Sequence, residues 1–510
     1  MLAPLLLSFS LFLLPLLFFA FIFTRTPNPH FTPPIKLPKS YPIVGSFFAL
    51  FANRHRRLQW LSDVLQISPA ATFTLHRLFG QRQFFTANPA VVQHILKTKF
   101  HIYQKGDSFR SIFTDFLGDG IFNADGESWK FQRQVSSHEF TTKSLRKFVE
   151  TVVDAELSDR LVPILHTAAS SCCVLDLQDV LQRFAFDNVC KIAFGYDPAY
   201  LSPSFVQSKF AKAFEEAVRI SSLRIQSLIP NVWKLKKFLN IGSEKQLRIA
   251  VAEVRGYANK IINDKKAELK ANSSIDAVDL LSRFLTSGHS NHNFNIDIII
   301  SFILAGQDTT SAALTWLFWL LAKHPQVETR IFEEISQKSE HLFGYDEVKD
   351  LVYTHAALCE SMRLYPPVPV DGKQAAADDV LPDGTVVRKG ERVAYHPYAM
   401  GRMEGIWGKD WAEFRPERWL ESGGDEAGAV KWRFVGRDNY TYPVFQAGPR
   451  ICLGKEMAFM QMKRIVAGIV KRFRVVPAAE EGVEPRFVQY MTAKMEGGFP
   501  VRIKVREGSE

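Results

Sequence analysis

The chain has 510 residues, 46% of them hydrophobic and 23% charged, so it is long enough to bury a large core and too apolar to be disordered or fibrous. The net charge is +10, but the basic residues are scattered and carry no nucleic-acid motif; the excess suits an anionic membrane or an acidic partner. Five cysteines with no CxxC argue against a disulfide scaffold and for a reducing compartment.

No charged residue occurs before Arg25. About 22 apolar residues at 1.5 Å each span roughly 33 Å, enough for a bilayer core of about 30 Å. The stretch lacks the basic start and small-residue cleavage site of a signal peptide, so residues 1–24 read as a single transmembrane anchor. Arg25, Lys36 and Lys39 follow it and leave the body in the cytosol, where the sequons at Asn272 and Asn439 would stay unglycosylated. Residues 25–42 are rich in proline, cannot be helical, and act as a semi-rigid spacer.

Residues 43–510 read as one large, mainly α domain with small sheets. Thr141–Arg160, Phe205–Ser221 and Lys245–Lys270 show helical spacing of apolar residues. Lys270–Asn295 reads as a polar surface connection with a short helix near Leu280–Phe284. Short strands are expected at Ala71–Leu75, Gln83–Phe85, Thr385–Val387, Arg392–Ala394 and Val501–Val505, and a mobile loop at Gly423–Gly428. Ile296–Ala322 is apolar on all sides except for Gln307-Asp308-Thr309-Thr310-Ser311 at its middle. An ionised Asp at the bilayer centre costs about 3 kcal/mol even on insertion scales. The segment is therefore the central rod of a core, with a working site halfway along.

The strongest local signal is Phe445-Gln-Ala-Gly448-Pro-Arg450-Ile-Cys452-Leu-Gly454, followed by an amphipathic helix over Lys455–Phe473. A cysteine at a helix start beside an arginine favours thiolate. Without Cys or His companions at zinc spacing, such a thiolate suits the single axial bond of a haem iron; the bland alternative is a buried structural cysteine. That alternative is the reading for Cys172, Cys173, Cys190 and Cys359.

Ala305-Gly306-Gln307-Asp308-Thr309-Thr310, Glu360-Ser-Met-Arg363, Phe414-Arg-Pro-Glu-Arg418-Trp and FxxGxRxCxG, in this order along the chain, resemble a membrane-bound cytochrome P450 over essentially the whole chain. The resemblance implies the cytochrome P450 fold, haem b with Cys452 as axial ligand to the iron, and O2 and NADPH as co-substrates. Electrons come through a separate NADPH–cytochrome P450 reductase, since no flavin or NADPH domain is visible, and the location is the endoplasmic reticulum membrane. On a helix, Glu360 and Arg363 could be a surface pair; the resemblance makes them, with Arg418, a buried triad. Trp419 stands where the family usually has Phe, a conservative change expected to be without consequence. Trp129 and Arg133 share a helix face and by resemblance meet the haem propionates, with Arg450 and, more weakly, Lys373. Ala305 and Gly306 leave room for O2 and substrate, and Asp308 and Thr309 form the proton-delivering pair. The alternative for Thr309 is a bond back to a backbone carbonyl.

Ile121–Val135, Arg363–Asp371, His396–Met403 and Gln446–Arg450 are similar to plant fatty-acid ω-hydroxylases. A sister group oxidises jasmonoyl-isoleucine, which is the runner-up substrate; a non-catalytic haem sensor is the alternative from another class. Phe302, Ala305, Gly306, Val368 and Val370 are expected to wall the substrate channel. Phe109, Phe113, Phe116 and Phe122 serve either as channel wall or as ordinary core. Partners are the fatty acid, the reductase and membrane lipid, with no nucleic acid.

Overall fold

The expected central rod extends from His292 to Lys323, and the rest of the chain is arranged around it. The computed structural model describes residues 36–507 except 207, 272–278, 288–290, 339–343, 425–429 and 480–481. The anchor 1–24, most of the spacer 25–42 and Asn272 lie outside the described residues. The first half of the rod, Ile296–Leu304, is buried in a core with Phe116, Phe214, Leu281 and Phe284. Its second half, Ala313–Leu321, belongs to another core with Leu181, Leu358, Ile465 and Val470. The polar turn Gln307–Ser311 falls between them, which is why a helix so apolar can carry five polar residues at its middle. Among the described residues it is the one helix long and apolar enough to cross a membrane, but it is mostly buried in protein.

A third core lies under a five-stranded sheet. Its order is Thr72–His76, Arg82–Thr86, Arg392–Tyr395, Asp371–Ala375, Tyr103–Gln104, antiparallel except for the parallel pairing of Arg82–Thr86 with Arg392–Tyr395. Asp371–Ala375 carries no β-branched or aromatic residue and has no strand signal in the sequence; it is extended because neighbours on both sides complete its hydrogen bonds. A short hairpin, Phe487–Gln489 with Ala493–Met495, reaches toward the central helix.

Several expectations are corrected. The helix expected to end at Arg160 runs on through 142–170 despite Pro163; the turn before the proline, Leu157–Leu161, is widened to π geometry, which tolerates a residue with no amide proton. The short helix expected near Leu280–Phe284 is present as Leu280–Thr286, but Leu280, Leu281 and Phe284 are buried, so this part of the connection packs into the core. Gly423 and Gly424 end a strand, Leu420–Gly424, paired with Val430–Phe434, and 425–429 lie outside the described residues. Cys190 and Cys359 are buried as expected, but Cys172 and Cys173 are exposed. The helix Leu177–Phe194, absent from the sequence reading, packs along the central helix.

The helix Val352–Leu364 carries Glu360 and Arg363, both fully buried, so the surface-pair reading fails. Arg363 Nε and Nη2 each donate to the Glu360 carboxylate at 2.8 Å. Arg418 Nε adds a bond at 3.2 Å, the Arg415 amide one at 3.1 Å, and the Trp419 indole one at 2.9 Å. Arg363 also donates to the carbonyls of Gly401, Trp411 and Glu413. Trp419 is therefore not a neutral replacement for Phe, because Phe has no N–H to give Glu360. Tyr442, just ahead of the cysteine loop, donates to the Cys359 carbonyl at 2.8 Å and ties that loop to this helix.

Glu360→Gln breaks the charge pairing and is expected to cost about 3–5 kcal/mol. Trp419→Phe should cost about 1.5–3 kcal/mol for a lost hydrogen bond to a buried charge. Urea denaturation followed by circular dichroism measures both. Unchanged stability in the Phe variant would return Trp419 to a purely packing role.

Candidate active site

Two tight turns, Pro443–Phe445 and Gly448–Arg450, fold the cysteine segment back on itself ahead of the helix Lys455–Arg472. The Cys452 amide donates to the Phe445 carbonyl at 2.8 Å. Gly448 has φ +64, and a Cβ there would lie 2.0 Å from the Leu96 carbonyl oxygen, so only glycine lets the loop approach so closely. Cys452 is surrounded by protein yet its side chain presents open surface, which puts it on the wall of an internal cleft. Burial pushes its thiol up, against the Gly454 amide and the charges of Arg133 and Lys455. Arg450 was the cation expected to favour the thiolate; it is engaged elsewhere, on Asp125 at 2.7 Å and the Ala124 carbonyl at 2.8 Å, with its guanidinium over the Trp129 ring.

Two other cations near this loop have no acid of their own. Arg133, half-buried one helical turn from Trp129, makes no ion pair among the described residues and feels Cys452. Lys373 Nζ is buried without any hydrogen-bond partner; burial and then Lys105 drive it well below its ordinary value. Asp371, its nearest counter-charge, is held by Lys105 at 2.9 Å. Half-buried Arg133 acting on Cys452 and buried Lys373 near Arg450, neither with an acid of its own, are a donor set that fits a ligand bearing carboxylates and a metal. The residues present fit haem, with Arg133 and Lys373 better placed to meet its carboxylates than Arg450.

On the central helix, Phe302, Ala305, Gly306 and Thr309 are half-buried between fully buried neighbours. The spacing of Phe302, Ala305 and Thr309 puts these three on one stripe, a part of the helix middle that protein covers incompletely. Val368 and Val370, beyond the end of the Glu360 helix, are half-buried in the same way. Gly306 has a different reason from the one expected: a Cβ there would lie 2.6 Å from Val189 Cγ2, so its lack of a side chain serves close packing against Leu177–Phe194. Phe113 and Phe116 are core residues, Phe116 against Phe214 at 5.2 Å, whereas Phe109 and Phe122 keep open surface.

Asp308 and Thr309 do not meet. Thr309 Oγ1 donates to the Ala305 carbonyl at 2.6 Å, the backbone bond weighed as its alternative. Asp308 faces the hairpin, where Thr492 donates to its carboxylate at 3.2 Å. Burial pushes the Asp308 carboxyl up, opposed by Lys494, which is itself paired to Glu215 at 3.0 Å. Thr492 and Lys494 lie 184 and 186 positions from Asp308 and belong to no motif, so nothing local in the sequence could have found them. A separate cavity of about 540 Å³, bordered by Trp319, His324, Arg402 and Phe414, touches the Phe414–Trp419 motif but none of the residues expected to bind haem or substrate.

The family profile described as Cytochrome P450 matches residues 35–499. Cytochrome P450 94A2 of Vicia sativa is 64% identical over 509 residues, covering 98% of each chain. Cytochrome P450 94B1 of Arabidopsis thaliana is 47% identical over 501 residues, 98% of this chain and 97% of that one. Cytochrome P450 94C1 of the same plant is 44% identical over 455 residues, 88% of this chain and 89% of that one. Similar to these proteins along nearly all of its length, the chain belongs to the cytochrome P450 family, as a plant haem monooxygenase that uses O2 and electrons derived from NADPH.

Proposed function

We propose that this enzyme hydroxylates fatty acids at the terminal carbon, with Cys452 as the residue whose thiolate would hold the haem iron and a separate NADPH–cytochrome P450 reductase as electron donor. The observation that carries the reading is the partly open stripe of Phe302, Ala305 and Thr309, which with Val368 and Val370 offers an apolar surface holding a single hydroxyl. The similarity of four segments to plant fatty-acid ω-hydroxylases supports the substrate class. Residues 1–24 anchor the chain in the endoplasmic reticulum membrane and 25–42 space the cytosolic body from it.

When bound, the haem supplies the activation of O2 and the oxidation of a C–H bond. The protein supplies position and protons. Arg133 and Lys373 would hold the carboxylates of the cofactor, with Trp129 and Arg450 beside them, and the Glu360–Arg363–Arg418 cluster fixes the region behind the cysteine loop. Thr309 Oγ1, on the open stripe, passes a proton once it turns from the Ala305 carbonyl. Asp308 lies one position behind it, its carboxyl pushed up by burial and so suited to carrying a proton. A terminal C–H bond is stronger than the secondary ones beside it, so terminal oxidation requires a wall that admits the methyl and holds back the methylenes. Phe302, Val368 and Val370 form that wall.

Microsomes containing the protein, reductase and NADPH, incubated with fatty acids of graded length and with jasmonoyl-isoleucine, test the substrate class directly; mostly in-chain products would end the ω reading. Phe302→Ala or Val370→Ala should move oxygen insertion toward the next two carbons, about tenfold in product ratio for each 1.36 kcal/mol of positional preference lost. Thr309→Ala should retain haem and substrate but divert NADPH electrons to hydrogen peroxide, lowering product per NADPH severalfold. Unchanged coupling would leave Thr309 only its bond to Ala305.

A further inference from the structure

Three arginines converge beneath the loop that follows the helix Lys209–Gln226, and none has an acid. Arg57 opens the helix Arg57–Ile67, Arg77 follows the strand Thr72–His76, and Arg392 opens the strand Arg392–Tyr395. Arg57 Nη1 donates to the Gln226 carbonyl at 2.8 Å and Arg77 Nη2 to the Ser227 carbonyl at 2.6 Å. These bonds hold the side chains in place without neutralising them. Arg77 Nη1 is buried with no partner at all. Arg57 and Arg392 are half-buried, enclosed by protein but not closed over.

Among the described residues no carboxylate forms an ion pair with any of the three, whereas buried Arg224 has Glu244 and Asp115, and Arg363 has Glu360. The acid nearest Arg392 is Asp371, already engaged by Lys105 at 2.9 Å and Tyr395 at 3.1 Å. Burial and mutual repulsion bring Arg57 down to about 9 and Arg77 to about 10. Bringing three cations together with no counter-charge is costly, and an anion relieves it.

The sheet leads from this cluster to the proposed substrate wall. Arg392 pairs with Gln374, strand alternation puts Gly372 and Gln374 on one face, opposite to Lys373, and Val370 immediately precedes the strand. Gly372 has no side chain, and Arg392 Nη2 lies 3.6 Å from where its Cβ would be. From Gln374 to Val370 is four residues, about 13 Å of strand at 3.3 Å each. Gly372, without a side chain, thus lies between the Arg392 guanidinium and Val370.

We infer that Arg57, Arg77 and Arg392 bind the carboxylate of the substrate, while its apolar end runs over Gly372 toward Val370 and the central-helix stripe. The inference rests on the fatty-acid reading. Charge-assisted hydrogen bonds tether the head, so the enzyme measures its substrate from the carboxylate and presents the far end for oxidation.

The test uses the purified full-length haem protein and reads binding from the change in haem absorption. Ligands are dodecanoic acid, its methyl ester and jasmonoyl-isoleucine; the proteins are wild type, Arg77→Gln, Arg392→Gln and Arg77→Lys. The Gln variants should weaken the acid by at least about tenfold, move the ester less than twofold, and scatter the oxidised position; the Lys variant should recover part of the loss. Equal weakening of acid and ester would mean that the arginines only brace the loop after Gln226, and would overturn the site. The wild-type comparison stands without any variant: equal affinity for acid and ester also overturns it. If jasmonoyl-isoleucine alone shows the arginine dependence, the carboxylate site stands and its ligand is the acyl–amino-acid conjugate. If wild type binds neither acid, the substrate reading falls and the inference with it, whereas an acid bound equally by wild type and Gln variants removes the subsite alone.

Discussion

A single carboxylate, Glu360, accepts hydrogen bonds from Arg363, Arg418, Trp419 and the Arg415 amide, and the rest of the molecule depends on that convergence. Directly, and through its partner Arg363, it joins three stretches of chain that also share a hydrophobic core: the helix Val352–Leu364, the turn around Gly401 and the segment from Trp411 to Trp419. In so dry a place a charge left without its partner is far more costly than the pair is beneficial, so the cluster acts as an all-or-none lock on geometry. Through Tyr442 and the Cys359 carbonyl the lock extends to the loop that carries Cys452.

The second constraint is the division of labour along the central helix. Its two ends are committed to different hydrophobic cores, so it can neither slide nor rotate without uncovering one of them. The polar middle is thereby presented at a fixed height and angle. The Thr309 hydroxyl and the buried Asp308 carboxyl are held there facing different neighbours, the one the Ala305 carbonyl and the other Thr492.

Much of this was legible in the sequence because the signals are local. The rod Ile296–Ala322, the cysteine loop and the pairing of Glu360 with Arg363 each sit within one window of residues. What was not legible depends on partners distant along the chain. Asp371–Ala375 is a strand only through its neighbours, Thr492 meets Asp308 across 184 positions, and Trp419 seemed an idle replacement until its indole was seen to face Glu360. The three unpaired arginines are invisible for the same reason, since no spacing links residues 57, 77 and 392.

Gly306 carries a consequence for how such chains diverge. Its missing side chain admits the branched Val189 of the neighbouring helix, so the two positions share one volume. A lineage that acquires alanine at 306 must first, or at the same time, surrender the branch at 189; the reverse order forces the central helix off the line its two cores dictate. The pair therefore behaves as one heritable unit, and the order in which its members change is set by steric necessity rather than by the chemistry on the other side of the helix.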